Sequence, residues 1–178
     1  MVKVYIGMGG NLPSVAGSPV QTLAAAIVRL GELGRVTARS HCYSTAPVGF
    51  SEQPRFVNAV VELESTLAPH ELLIRTMHIE RDFGRDRLNS FRNGPRSLDL
   101  DLLLYGDVVL SGNNLEIPHP RLSQRAFVLV PLAEIAPALL EPRSRRTIRA
   151  LLEELCSRDE DDVQNVVRLD DPLPESHG

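Results

Sequence analysis

The chain has 178 residues, 43% of them hydrophobic and 24% charged, with a formal net charge of −4. That content suits one domain with a full core, and the acidic balance argues against a nucleic-acid binder. No run of about 18 apolar residues occurs, so no membrane span is expected; the opening "MVKVYIGMGG" has no signal-peptide pattern, and the expected location is the cytoplasm.

Residues 2–8 alternate as a first strand, which Gly9, Gly10 and Asn11 break, with a loop over 12–18. Residues 19–33 read as a helix: Pro19 sits at its start, where the missing N–H costs little. Leu23, Ala26, Ile27 and Leu30 give its apolar stripe, and Gly34 stops it. A weak strand follows over 35–44, then a proline- and glycine-containing loop over 46–55. Residues 56–65 alternate as a strand, and 69–83, opened by Pro69, carry helical spacing at Leu72, Leu73, Thr76, Met77 and Glu80. An arginine-rich loop fills 84–95 before a strand over 97–104, in which Leu98, Leu100, Leu102 and Leu104 alternate with Asp99 and Asp101.

The order β-α-β-β-α-β predicts a ferredoxin-like α+β fold, an antiparallel sheet with helices on one face. Beyond it, 106–112 suggest a short hairpin arm, 117–122 a rigid proline-flanked loop, and 125–137 and 147–156 a C-terminal helical extension. VQNVVRL, 163–169, has the pattern of an added edge strand. The expected organisation is a single domain with its core in about 2–156 and an acidic tail over 157–178, frayed at its DDPLPESHG end.

Two carboxylates on one strand face are unusual, because like charges repel and Asp is a poor strand former. Residues i and i+2 of a strand point the same way, about 6.6–6.8 Å apart. Asp99 and Asp101 therefore lie on the face opposite the leucines, at the end of an arginine-rich loop, with Arg81, Arg85, Arg87, Arg92 and Arg96 in one short window before them. Mg2+ favours one or two carboxylates plus substrate phosphate oxygens, and guanidinium suits multidentate phosphate contact. Lys3 is the one lysine, so 18 of the 19 basic side chains are arginine. Gly7, Gly9 and Gly10 are open to three readings: a tight turn, a phosphate cradle, or a place where a planar ligand meets bare backbone. His119, in "PHPR", is a candidate phosphate contact, while Cys42 and Cys156 read as two reduced thiols.

The pieces "YIGMGGNL" (5–12), "YSTAPVGFSEQPRFVNAV" (43–60), "IERDFGRDR" (79–87), "GPRSLDLDLLLYG" (94–106) and "IPHPRLSQRAFVLVPLAEIAP" (117–137) together resemble the 6-hydroxymethyl-7,8-dihydropterin pyrophosphokinases of folate biosynthesis. The resemblance spans about 4–140 and implies a ferredoxin-like fold. It implies transfer of the β,γ-diphosphate of ATP to the pterin hydroxymethyl group, with AMP released and two Mg2+ ions as cofactors. It assigns both magnesium ions to Asp99 and Asp101, and phosphate closure to Arg85 and Arg87. Arg96, His119 and Arg125 would add positive charge or donors. The pterin would meet Gly9, the backbone around Thr45, Pro47 and Val48, a hydrogen bond from Asn58, and a sandwich of Phe56 and Phe127. Glu80 would lie on the nucleotide side, and Leu102 and the backbone near Leu115–Ile117 would flank adenine. The implied partners are these two small molecules, with no nucleic acid or membrane, and a monomer is expected.

Five positions depart from the family pattern: Asn93 in place of a Trp before G-P-R, Met77 in place of a polar residue, Phe56 in place of a frequent Tyr, and Asn114 and Glu116 where some members place Arg and Thr near the nucleotide. The competing readings are another Mg-dependent nucleotidyl- or phosphotransferase on the same fold and a non-catalytic ligand-binding module. Loops 46–55 and 84–95 are expected to be mobile without ligand and to order on binding.

Overall fold

A computed structural model describes residues 1–170. The elements are β1 (Val2–Gly10), α1 (Pro19–Leu30), β2 (Arg35–Arg39), β3 (Tyr43–Thr45), β4 (Phe56–Ser65), α2 (Pro69–Asp82), β5 (Asp99–Tyr105), β6 (Leu110–Ser111), β7 (Glu116–Ile117), α3 (Ala126–Ile135), α4 (Ile148–Arg158), α5 (Glu160–Gln164) and β8 (Val167–Arg168). The main sheet runs β5-β1-β4-β3-β8, with β2 on β4 beside β3, and every pairing in it is antiparallel. This is the ferredoxin-like arrangement.

Local chemistry explains the helix starts. Ser18 and Gln21 close a reciprocal capping box at α1, Ser18 N–H donating to Gln21 Oε1 at 2.8 Å, and Pro19 follows in the first turn. Helix α1 ends at Leu30, three residues before the expected 33, and α2 matches its expected span within one residue. The single strand expected over 35–44 is split by Ser40–Cys42. Ser40 still serves the sheet there, its N–H donating to Val60 O and its Oγ accepting from Val60 N–H.

Helices α1 and α2 cover one sheet face, burying Leu23, Ile27, Leu30, Leu72 and Ile79 against Val4, Ile6, Met8, Ala59, Val61, Leu98, Leu100 and Leu102. The C-terminal helices cover part of the other face: Leu122, Leu129, Leu132, Ile148, Leu151 and Leu155 pack with Tyr5, Val60, Leu103 and Leu104. Helices therefore lie on both faces once the extension is counted. The regular leucine alternation expected in β5 fails at Leu104. Ile6 pairs with Leu102 but Tyr5 with Leu104, so Leu103 is a bulged extra residue and Leu104 turns to the second core.

The chain stays ordered past 156. Helix α4 runs to Arg158, α5 follows, and β8 adds the expected edge strand on β3, although only over Val167–Arg168. Most of the DDPLPESHG stretch lies outside the described residues. Among the described residues no helix is long and apolar enough to cross a membrane.

Candidate active site

Strand β1 runs on to Gly10 rather than ending at 8, which places its glycines inside the sheet. Gly9 lies between Asn58 on β4 and Asp99 on β5, and Gly7 between Val60 and Asp101. Directly opposed residues of antiparallel strands share a face. The two glycines thus form the floor of a trough walled by Asn58 and Val60 on one side and the aspartates on the other. The walls are two strand spacings apart, about 10 Å. Of the three readings of the glycines, this one is a bare strand surface, not a turn. A Cβ on Gly9 would stand 2.4 Å from Asn58 Oδ1, and one on Gly10 2.3 Å from Ser97 O.

The first turn of α3 roofs the trough. One open cleft is lined by Thr45, Ala46, Val48, Phe56, Asn58 and Asn93, together with Arg96, Arg125 and Phe127. An adjoining cleft contains Gly7, Gly9, Asp99, Asp101 and Leu103 and shares Asn58, Arg96, Arg125 and Phe127 with the first. Asn58 Nδ2 donates to the buried Thr45 Oγ1 at 2.7 Å. The Arg96 guanidinium lies 4.8 Å from the Phe56 ring centroid and that of Arg125 5.3 Å from Phe127, so two cations sit on the aromatic walls.

Asp99 is surrounded by arginine. Arg96 Nε is 3.2 Å from Oδ2, Arg85 Nη2 3.7 Å from Oδ1 and Arg87 Nη2 4.0 Å from Oδ1. Asp101 is different: burial, then the Asp99 charge, pushes its carboxyl up to about 6, against the pull of Arg125, Arg96 and Arg87. Glu80 is buried at the outer edge of β5, where Oε1 accepts the Leu100 N–H at 2.7 Å and Oε2 accepts from Arg87 Nε at 3.0 Å. Burial, with Asp99 nearby, pushes it up to about 7. Both its oxygens are engaged, so Glu80 anchors the arginine that reaches toward Asp99.

His119 belongs to the same edge, its N–H donating to Leu103 O at 2.9 Å. Burial and the Arg125 charge lower its imidazole to about 4. Nδ1 accepts the Arg121 N–H at 3.1 Å, so the neutral ring carries its proton on Nε2. Of the two roles held open for it, that of neutral donor fits. Burial also lowers Arg85 and Arg125. Arg85 Nε and Ser97 Oγ are buried with no hydrogen-bond partner.

Six expected contacts line neither cleft: Arg85, Arg87, Glu80 and His119 stand at the β5 edge described above, and Leu102 and Pro47 remain. The Leu102 side chain is 4% exposed and packs in the core under α1 and α2, because its parity in β5 is opposite to that of the aspartates. Pro47 lines neither cavity, and its neighbour Val48 forms the rim.

One residue missed by the motif reading is Asn11. Only 3% exposed, it donates from Nδ2 to Gln53 Oε1 and Pro54 O and accepts the Arg96 N–H at 2.9 Å. Gln53 Nε2 in turn donates to Phe50 O and Asn93 O. Asn93 has φ 61°, a conformation Asn tolerates better than most residues. The only sequence signal for this joint was the Asn directly after the glycine pair.

The family model for 7,8-dihydro-6-hydroxymethylpterin-pyrophosphokinase matches residues 5–137. The chain is 43% identical over 152 residues to the 2-amino-4-hydroxy-6-hydroxymethyldihydropteridine pyrophosphokinase of Synechocystis, covering 84% of this chain and 74% of that one. It is 41% identical over 147 residues to the enzyme of the same name from Haemophilus influenzae, covering 82% and 88%. Among solved structures, Plasmodium falciparum HPPK-DHPS with pteroate aligns at TM-score 0.74 and 15% identity, over 94% of this chain. The chain spans 47% of that longer protein, and the likeness is one of fold.

Proposed function

The chain belongs to the 7,8-dihydro-6-hydroxymethylpterin-pyrophosphokinase family, and from that premise we propose how its own residues divide the work. The enzyme transfers a diphosphoryl group from ATP to 6-hydroxymethyl-7,8-dihydropterin in folate biosynthesis. A bond forms between the hydroxymethyl oxygen and the β-phosphorus, the bond from that phosphorus to the α-phosphate oxygen breaks, and AMP leaves.

The pterin occupies the cavity between Phe56 and Phe127, flat against the rings and with its polar edge toward Asn58. Offset stacking of this kind contributes about 0.5–1.5 kcal/mol per pair. The observation that carries the reading is the row Asn58–Gly9–Asp99: one bare strand connects the aromatic cavity to the carboxylates. The diphosphoryl group crosses the trough there, over Gly7 and Gly9, where no side chain obstructs it.

Asp99 and Asp101 would hold the two Mg2+ ions. The donor set fits: two hard carboxylates share a face, and Asp101 is poorly matched to its surroundings when charged. Among the described residues no group of three or more His, Cys, Asp or Glu side chains converges. Substrate phosphates and water would therefore complete the coordination, as Mg2+ favours. When bound, the ions would neutralise phosphate charge and lower the pKa of the substrate hydroxyl.

Arg85, Arg87 and Arg96 orient the phosphates and spread the developing charge, and Arg125 does so from the roof. His119 adds a neutral N–H donor. The unpartnered Nε of Arg85, whose guanidinium reaches Asp99, supports an anion here, since a buried donor is costly until an acceptor arrives. Catalysis on this reading is positioning plus fixed charge.

Incubation with Mg2+, ATP and the hydroxymethyl dihydropterin should yield AMP and the pterin diphosphate, resolved by ion-exchange chromatography. ADP as the nucleotide product would indicate transfer of a single phosphoryl group and overturn the reading.

A further inference from the structure

The segment from Asp159 to Leu169 lies beyond the residues matched by the family model, yet it returns to the walls of the site. Asp162 Oδ2 accepts the N–H of Ala126, the first residue of α3, at 3.2 Å. Ala126 is fully buried, so that N–H has no access to water. Its neighbours in the chain are Arg125 and Phe127, which roof the trough. The N-cap residue of α3, Arg125, makes no side-chain capping bond of its own. Asp162 thus supplies, from 36 residues away, the carboxylate that a helix N-terminus favours.

Other ties hold Asp162 in place. Its N–H donates to Asp159 Oδ1 at 3.1 Å, closing the first turn of α5. Arg55 Nη2 donates to Asn165 O at 2.9 Å and to Ser44 O at 3.1 Å, which clips the end of α5 to β3. β8 pairs with Tyr43 and Ser44, next to Thr45 of the aromatic cavity. Arg168 Nη2 contacts His41 Nε2 at 2.8 Å, and His41 and Tyr43 both bind Glu134 near the other end of α3. Helix α3 is therefore held at both ends by groups that the C-terminal segment contacts or carries.

We propose that Asp162 is a positioning residue of this enzyme: by capping α3 it sets Phe127 against the pterin and Arg125 over the phosphates. The proposal rests on the assignment of Phe127 to the pterin given above. Loosening the first turn of α3 would shift the wall that binds the pterin, whereas a merely structural loss would lower the active fraction. The first changes the KM for pterin; the second lowers kcat alone.

The test is steady-state kinetics with pterin varied at saturating ATP and Mg2+ for Asp162→Ala, Asp162→Asn and Phe127→Ala. Asp162→Ala is expected to raise the pterin KM about fivefold, the size of a lost helix cap. Asp162→Asn keeps an acceptor oxygen and should stay within about twofold of the parent. A pterin KM unchanged in Asp162→Ala while Phe127→Ala raises it would overturn the positioning role and leave the site assignment standing. Equal impairment in Asp162→Asn and Asp162→Ala would also overturn it, because the capping bond would not be the cause. An unchanged pterin KM in Phe127→Ala would overturn the site assignment, and the positioning role with it.

Discussion

Asp99 and Asp101 share a strand face but not an environment. Asp99 is compensated by Arg96, Arg85 and Arg87, while at Asp101 burial outweighs the pull of its arginines. Asp99→Ala and Asp101→Ala should each lower kcat by at least about 100-fold, as loss of a transition-state electrostatic contact does. Their circular dichroism and cooperative unfolding should be retained, and near-normal turnover in either variant would contradict the metal assignment. A pH effect follows from the same pair. Asp101 rises from 3.8 to about 6 in the folded protein, so the fold binds its proton more tightly than the unfolded chain does. Its contribution to stability is present below the ordinary value and is lost as pH rises through about 6. Glu80, raised to about 7, acts in the same direction. Above these values Asp101 and Glu80 hold their charge against burial, a cost that a divalent cation bound at Asp101 would offset. Millimolar Mg2+ should therefore raise the melting temperature more at about pH 8 than at about pH 5. An equal shift at both pH values would show that Asp101 is not a ligand.

At the scale of elements, the site is made by joints as much as by strands. The buried Asn11 holds the end of β1, the 46–55 loop and the 94–97 segment together, with backbone bonds from Asn11 and Leu12 N–H to Arg96 O beside it. The two loops expected to be mobile without ligand are tied to each other by Gln53 to Asn93 O and by an edge-to-face contact of Phe50 and Phe91 at 5.4 Å. Asn11→Ala strips three polar partners and should cost about 1–3 kcal/mol in urea unfolding. It should also weaken phosphate binding through the loosened Arg96; a variant with unchanged stability would remove Asn11 from this role. The elements themselves were largely legible. Strand β4 matches its expected span, and α1 and α2 start at Pro19 and Pro69, because alternation, helical spacing and proline are local signals. Strand β1 extends two residues beyond its expected end, because glycine is a breaker only on local grounds. Pairing with both Asn58 and Asp99 holds Gly9 extended all the same.

For the whole molecule, the decisive feature is a second core. The basic βαββαβ pattern leaves one sheet face open, and α3 and α4 close part of it around Leu129, Leu132 and Ile148, each fully buried. Leu129→Ala should destabilise the protein by about 2–5 kcal/mol, measured by chemical denaturation. It should also raise the pterin KM, since α3 carries Phe127. A stable variant with an unaltered KM would show that the second core does not support the site. The closure of that face also explains the trough, which is the stretch that the helices roof without filling, because β1 presents glycines there.

The sequence by itself determined the element order, the shared face of Asp99 and Asp101, the arginine supply and the family, since each rests on spacing along one chain. Only the tertiary structure decided the rest. The bulge at Leu103 sends Leu104 to the second core, Leu102 turns into the core under α1 and α2, Glu80 becomes an anchor, and Asn11 and Asp162 become joints. These depend on partners distant in the chain, 20 residues away for Glu80 and Leu100 and 85 for Asn11 and Arg96, and a hydrogen bond or a shared cavity between distant residues leaves no periodic mark on the sequence of either.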